Sequence, residues 1–175
     1  MDNNSNKEET VRLVKVDTDN LDDLIGLKVF DEQKKFVASN MYSLAEAYAT
    51  IAEGGFAQPF GIYVGENPVG FLMIGYIRKD DEEEDEEEDT PDYVFENYLL
   101  WRFMIDEKQQ RKGYGKQALK LTIDYIRTFP AGKAEYCWLS YEPENETARK
   151  LYTSFGFEEK ELPKGWDEVP AVLKL

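Results

Sequence analysis

The stretch from Tyr98 to Thr128 changes character twice, and those changes restrict the fold more than any other feature of the chain. Tyr98 to Ile105 is apolar and suits a buried strand. Asp106 to Lys112 is polar and charged. Gly113 and Gly115 then open a segment from about Gly115 to Thr128 in which Ala118, Leu119, Ile123 and Ile126 recur at helical spacing. A strand that passes through a polar loop into a glycine-led helix is a unit of α/β architecture, in which the helix buries its apolar face on the sheet.

The flanking sequence predicts the same class. Val11, Leu13, Val14 and Val16 form a short strand, and Leu21, Leu24, Ile25 and Leu27 follow a turn at helical spacing. Ser43 with Glu46 reads as a capping box, opening a second helix that carries Leu44, Ala47, Tyr48 and Ile51 inward and stops at Gly54-Gly55. Phe60 to Val64 and Val69 to Ile77 make a hairpin around Gly65-Glu66-Asn67-Pro68. Ala134 to Tyr141 is another strand. Asn145 caps a helix with Ala148, Leu151, Tyr152 and Phe155 on one face, and Phe157 to Leu162 with Val169 to Leu175 supplies a closing hairpin. The order β-α-α-β-β-β-α-β-α-β-β predicts an α/β mixture whose sheet need not be all parallel.

At 175 residues, with 42% apolar and 14% aromatic content, the chain suits one domain over residues 10–175. Residues 1–9 read as a disordered lead-in. The net charge of −15 is mostly local: removing the ten acids Asp80 to Asp89 from the 36 leaves 26 against 21 basic residues, or −5. That run is expected to be a solvated, mobile loop, with an electrostatic pull on cations as its sharper reading. Histidine is absent, which excludes Ser-His-Asp and Cys-His catalysis and most zinc sites, and no metal is expected. The single cysteine, Cys137, lies among Tyr136, Trp138 and Leu139 and reads as buried filler in a reducing compartment. With no apolar run of about 18 residues and no basic stripe, neither a membrane nor a nucleic acid is an expected partner, and a cytoplasmic location is the default.

The chemistry concentrates at Asp106 to Lys116. Glycines admit close backbone approach, helix-terminal N–H groups attract anions, and Arg111, Lys112 and Lys116 add positive charge to an acidic chain. An anionic ligand is the functional reading. A helix start punctuated by glycine without any ligand fits the loop equally well, and Gly113, Gly115 and Ala118 also match the dinucleotide pattern G-x-G-x-x-A. Against that last reading, polar residues through Lys112 separate the strand from the first glycine.

Gln110-x-x-Gly113-x-Gly115, after an apolar strand, resembles the coenzyme A pyrophosphate loop of the GNAT superfamily of N-acetyltransferases. Further on, Asn145, Ala148, Leu151, Tyr152, Gly156 and Phe157 look like its second motif, N-x-x-A-x-x-L-Y-x-x-x-G-F. The resemblance spans about Val11 to Leu175. Phe36 to Asn40, Gln58 to Phe60, Tyr98 to Asp106, Phe129 to Gly132 and Leu139 to Asn145 are similar to bacterial spermine/spermidine acetyltransferases. The resemblance implies a mixed, mostly antiparallel central sheet with one splayed parallel strand pair and about four flanking helices. It also implies acetyl transfer from acetyl-CoA to a primary amine, spermidine or spermine in the first instance. A protein N-terminus, a lysine or an aminoglycoside is the alternative acceptor, and a non-catalytic acetyl-CoA-binding module the alternative class. Dimers are frequent in the superfamily.

Carried onto this sequence, the resemblance has the backbone at Phe103, Met104 and Ile105 pair with the pantetheine arm, the Met104 side chain facing the other way. Gln110, Arg111, Lys112, Gly113, Tyr114, Gly115 and Lys116 cradle the pyrophosphate, and Asn145 contacts the coenzyme or caps its helix. Tyr152 is the acid that protonates the departing thiolate. Some polyamine acetyltransferases carry a glutamate base where this chain has Trp101, so Glu142 is the substitute candidate, with Glu96 behind it. Asp31 and Glu32, between the first two helices, are the expected carboxylates for a cationic acceptor.

Overall fold

The computed structural model describes residues 10–79 and 90–175; the expectations for the lead-in 1–9 and the acidic loop 80–89 lie outside it. In chain order the elements are β1 (Val11–Lys15), α1 (Leu21–Gly26), a 3-10 turn (Asp31–Gln33), α2 (Asn40–Ala52), β2 (Phe56–Val64), β3 (Asn67–Ile77), β4 (Asn97–Ile105), α3 (Tyr114–Ile126), β5 (Tyr136–Tyr141), α4 (Glu146–Thr153), β6 (Glu158–Glu159) and β7 (Val169–Lys174). The seven strands form one sheet in the order β1-β2-β3-β4-β5-β7-β6. Every neighbouring pair is antiparallel except β4 with β5. The expected mixed, mostly antiparallel sheet with one parallel pair is present.

Both faces of the sheet are covered, which is why β3 reads as a nearly continuous apolar run and is buried from Val69 to Tyr76. On one face Ala118, Leu119, Ile123 and Ile126 of α3 and Tyr152 of α4 join Leu72, Ile74, Tyr98 and Leu100 in the larger core. On the other, Ala47 of α2 packs with Phe71, Met73 and Met104. β4 serves both faces through a bulge. Met73 pairs with Arg102 while Ile74 pairs with Leu100, so Trp101 is an extra residue. The insertion shifts the alternation, sending Phe103 and Ile105 to the same core as Tyr98 and Leu100.

α2 corrects the sequence reading. The helix begins at Asn40, and the Ser39 hydroxyl accepts the Tyr42 N–H at 3.2 Å, a cap that contributes about 1 kcal/mol. Ser43 lies inside the helix, and its hydroxyl donates to the Ser39 carbonyl. Glu46 is therefore no capping residue; it pairs with Arg102 at 2.8 Å. Leu44 and Ala47 face inward as expected, but Tyr48 is 78% and Ile51 54% exposed, because the helix buries only the narrow stripe that meets the sheet. The closing hairpin is also shorter than expected: β6 keeps only Glu158–Glu159.

Candidate active site

The parallel pair is a fork. β4 and β5 are in register only at Tyr98–Cys137 and Leu99–Trp138, whereas β5 pairs with β7 along its whole length. The closed end is fastened by buried side chains. The Asn97 amide oxygen accepts the N–H groups of Glu135 and Tyr136 at 3.0 and 2.7 Å. The Tyr98 hydroxyl accepts from Ala131 and Gly132 and donates to the Gly132 carbonyl. Beyond Leu99 no further strand pairing joins β4 to β5 among the described residues, and β4 presents an unpaired edge to a cleft of about 910 Å³. An unpaired strand edge can take up an extended, amide-bearing ligand as an added strand. Phe103 and Ile105 line it, Met104 contributes backbone, and the Met104 side chain is buried in the core of the opposite face.

One end of the cleft is positive. The loop after β4 is anchored by the buried Asp106, whose carboxylate accepts the N–H groups of Lys28 and Lys108 at 3.1 Å. Arg111 and Gly113 both adopt left-handed backbone conformations, φ 64° and 82°. Gly113 is the N-cap of α3 and offers no side chain to close it, so among the described residues the N–H groups of Tyr114, Gly115 and Lys116 have no protein acceptor. Such free N–H groups, with Arg111 and Lys116 lining the cleft, have the chemistry to accept an anion. A Cβ on Gly115 would meet only ordinary contacts, the nearest being Ile105 Cγ1 at 3.6 Å. The fold itself does not need glycine there. Gln110 has a different duty: its amide donates to the Ile105 carbonyl at 3.0 Å and exchanges hydrogen bonds with the Gln33 amide. Tyr114 lines the cleft, while Lys112 turns aside to Gln109 and does not.

Tyr152 reaches the cleft from α4, packed against Tyr141 and Phe157 with ring centroids 5.9 and 5.8 Å away. Burial pushes its phenol well above the ordinary tyrosine range, and the neighbouring Cys137, Tyr141 and Glu168 add to the rise. Among the described residues nothing hydrogen-bonds its hydroxyl. It is a neutral phenol with a free proton. Asn145 lines the cleft while its side chain accepts the Ala148 N–H at 3.2 Å, so it caps α4. Cys137 is fully enclosed, and burial raises its thiol to about 12.

The remaining expected site residues lie elsewhere. Glu142 is half-buried at the end of β5 outside the cleft lining, and its carbonyl accepts the Asn145 N–H. Asp31 and Glu32 are exposed and also outside the lining. The Asp31 carboxylate is paired with Lys34 at 2.6 Å, which holds it below the usual carboxylate range. Glu96 binds the Tyr76 hydroxyl and the Lys79 N–H, away from the cleft.

A family model for the Acetyltransferase (GNAT) family matches residues 25–157. The chain belongs to that family. A GNAT chain of this kind is an N-acetyltransferase that uses acetyl-CoA. It is 30% identical over 151 residues to the spermine/spermidine N(1)-acetyltransferase of Bacillus subtilis (strain 168), covering 85% of this chain and 88% of that protein. Two solved structures share its fold. Spermidine N-acetyltransferase from Vibrio cholerae, in complex with CoA and spermine, has a TM-score of 0.65 at 16% identity and covers 95% of each chain. The PaiA N-acetyltransferase from Thermoplasma acidophilum, in complex with coenzyme A, has a TM-score of 0.66 at 13% identity, covering 95% of this chain and 99% of that one.

Sequence reasoning missed one wall of this GNAT cleft. Trp166, Asp167 and Glu168 line it from the loop between β6 and β7. They are a tryptophan and two acids after the turn at Gly165, a compact signal that an assignment as a plain hairpin passes over. The Glu168 carboxylate accepts a hydrogen bond from the Ser140 hydroxyl of β5. Trp138 packs against Trp166 with ring centroids 5.8 Å apart, and among the described residues its buried indole N–H has no acceptor. All three tryptophans of the chain, Trp101, Trp138 and Trp166, line this one cleft.

Proposed function

We propose that the protein transfers the acetyl group of acetyl-CoA directly to a primary amine of spermidine or spermine. The observation that carries this reading is the polarity of the cleft. Its cations at the N-terminus of α3 suit the coenzyme's phosphates, and the wall made by β5 and the loop before β7 holds two carboxylates and two tryptophans that suit an alkylammonium. The similarity to the B. subtilis spermine/spermidine enzyme over most of both chains supports the same acceptor.

In this reading the pantetheine arm adds to the free edge of β4, and the pyrophosphate lies on the N–H groups of Tyr114, Gly115 and Lys116. The thioester then sits at the mouth of the fork beside Tyr152. One proton of the acceptor ammonium leaves to water in the open cleft, and the freed amine attacks the thioester carbonyl carbon. A C–N bond forms and the C–S bond breaks. The departing thiolate takes the Tyr152 proton, and the phenolate recovers the proton that nitrogen loses as the amide forms. The products are an acetylated polyamine, coenzyme A and one released proton. Acetylation removes a positive charge from the polyamine.

The test is turnover of acetyl-CoA with a panel holding spermine, spermidine, an aminoglycoside, a lysine peptide and a peptide with a free N-terminus. The polyamines are expected to give kcat/KM values at least about tenfold above the others. A higher value for any other member overturns the acceptor assignment.

A further inference from the structure

We propose that Glu168, held by Ser140 and walled by Trp138 and Trp166, is the carboxylate that binds the reacting ammonium end of the acceptor. The inference deepens the amine-acetylation reading above and rests on it.

Asp167 and Glu168 are the acids among the described residues that line the cleft. Its cations lie elsewhere or are already matched. Arg111 and Lys116 belong to the α3 end, Arg102 is paired with Glu46, and Lys35 with Glu144. Among the described residues no lysine or arginine pairs with Glu168. An acid in a cleft with no protein cation of its own is a site for a cation from outside.

Position separates Glu168 from its neighbour. It directly precedes Val169, which pairs with Tyr141 at the open end of the fork. Ser140 donates to one carboxylate oxygen, which fixes the group while leaving the other oxygen to a ligand. Asp167 is exposed and has no such hold. The Trp138 and Trp166 rings, 39° apart, offer π faces to an ammonium and apolar surface to its methylenes. Tyr152 lines the same cleft, so an amine held by Glu168 and the thioester served by Tyr152 share one space. Asp31 and Glu32 have none of these relations to the cleft.

Glu168→Gln keeps the side chain's size and its hydrogen bond from Ser140 but removes the charge. With spermidine as the varied substrate, KM is expected to rise about 10- to 100-fold, while KM for acetyl-CoA stays within about twofold. Ser140→Ala, which frees the carboxylate without neutralising it, is expected to raise spermidine KM less and to spare acetyl-CoA. Glu161→Gln, exposed on the same loop and outside the cleft, is the control and should match the parent enzyme. Spermidine added to the CoA complex should change tryptophan fluorescence in the parent and not in Glu168→Gln. An unchanged spermidine KM in Glu168→Gln, or equal losses for both substrates, overturns the assignment. A parent enzyme that ignores polyamines but acetylates another amine overturns the acceptor reading instead; an unchanged KM for that amine in Glu168→Gln then overturns this one as well.

Discussion

Burial keeps the Tyr152 phenol protonated, as the proposed acid role requires. Its phenol is held above the ordinary range, so it is fully protonated wherever an amine can be acetylated, and its hydroxyl is free to serve a ligand. Tyr152→Phe keeps the ring and its packing against Tyr141 and Phe157 and deletes only the proton. The expected result is a fall in kcat of about a hundredfold with acetyl-CoA affinity unchanged, read by steady-state kinetics beside calorimetry. Unaltered turnover would remove Tyr152 from the mechanism. Tyr152 was legible in the sequence because the residues around it form a local motif. Glu168 was not, because its meaning depends on Ser140, a residue on a different strand. Asp31 and Glu32 mark the converse problem: the sequence shows that they are acidic, and only the fold shows that one is committed to Lys34 and both lie outside the cleft.

At the scale of elements, β4, its loop and α3 form the working unit, and two glycines there do different things. Gly113 needs its left-handed backbone, φ 82°, so Gly113→Ala should cost about 1 kcal/mol or more in stability, seen as a lower denaturant midpoint. Gly115 is not left-handed and has room for a methyl within the fold. Gly115→Ala should therefore fold normally yet bind acetyl-CoA about tenfold more weakly, because the methyl stands where the diphosphate approaches the backbone. A destabilised Gly115→Ala, or one with full affinity, contradicts this division. The strand-loop-helix unit could be read from local sequence because hydrophobic period and glycine placement are local signals. The fork could not. It depends on Asn97 and Tyr98 tying one end of β4 to the first residue of β5 and the segment before it, contacts between segments far apart in the chain. The start of α2 was misplaced because Ser43 and Glu46 have the spacing of a capping box, whereas the cap is made by the Ser39 hydroxyl one turn earlier.

For the whole molecule, several phenols are buried against the sheet and stay protonated to high pH. Burial, then the Glu96 hydrogen bond, raises Tyr76 to about 12, and burial raises Tyr141 and Tyr152 as well. Each holds its proton more tightly folded than unfolded, where tyrosine titrates near 10. Their contribution is complete below about pH 10 and is lost as pH rises through the folded values, so the urea midpoint should hold at about pH 8 and fall by about pH 11. A flat midpoint across that range would mean that these phenols titrate alike in both states. The enzyme as a whole stands on the coenzyme entering the fork between β4 and β5. Calorimetric titration with acetyl-CoA, followed in parallel by the fluorescence of the three cleft tryptophans, tests this most directly. One saturable site is expected, with both signals reporting the same Kd and Gly115→Ala weakening it; a folded protein that gives neither heat nor a fluorescence change with acetyl-CoA would contradict it.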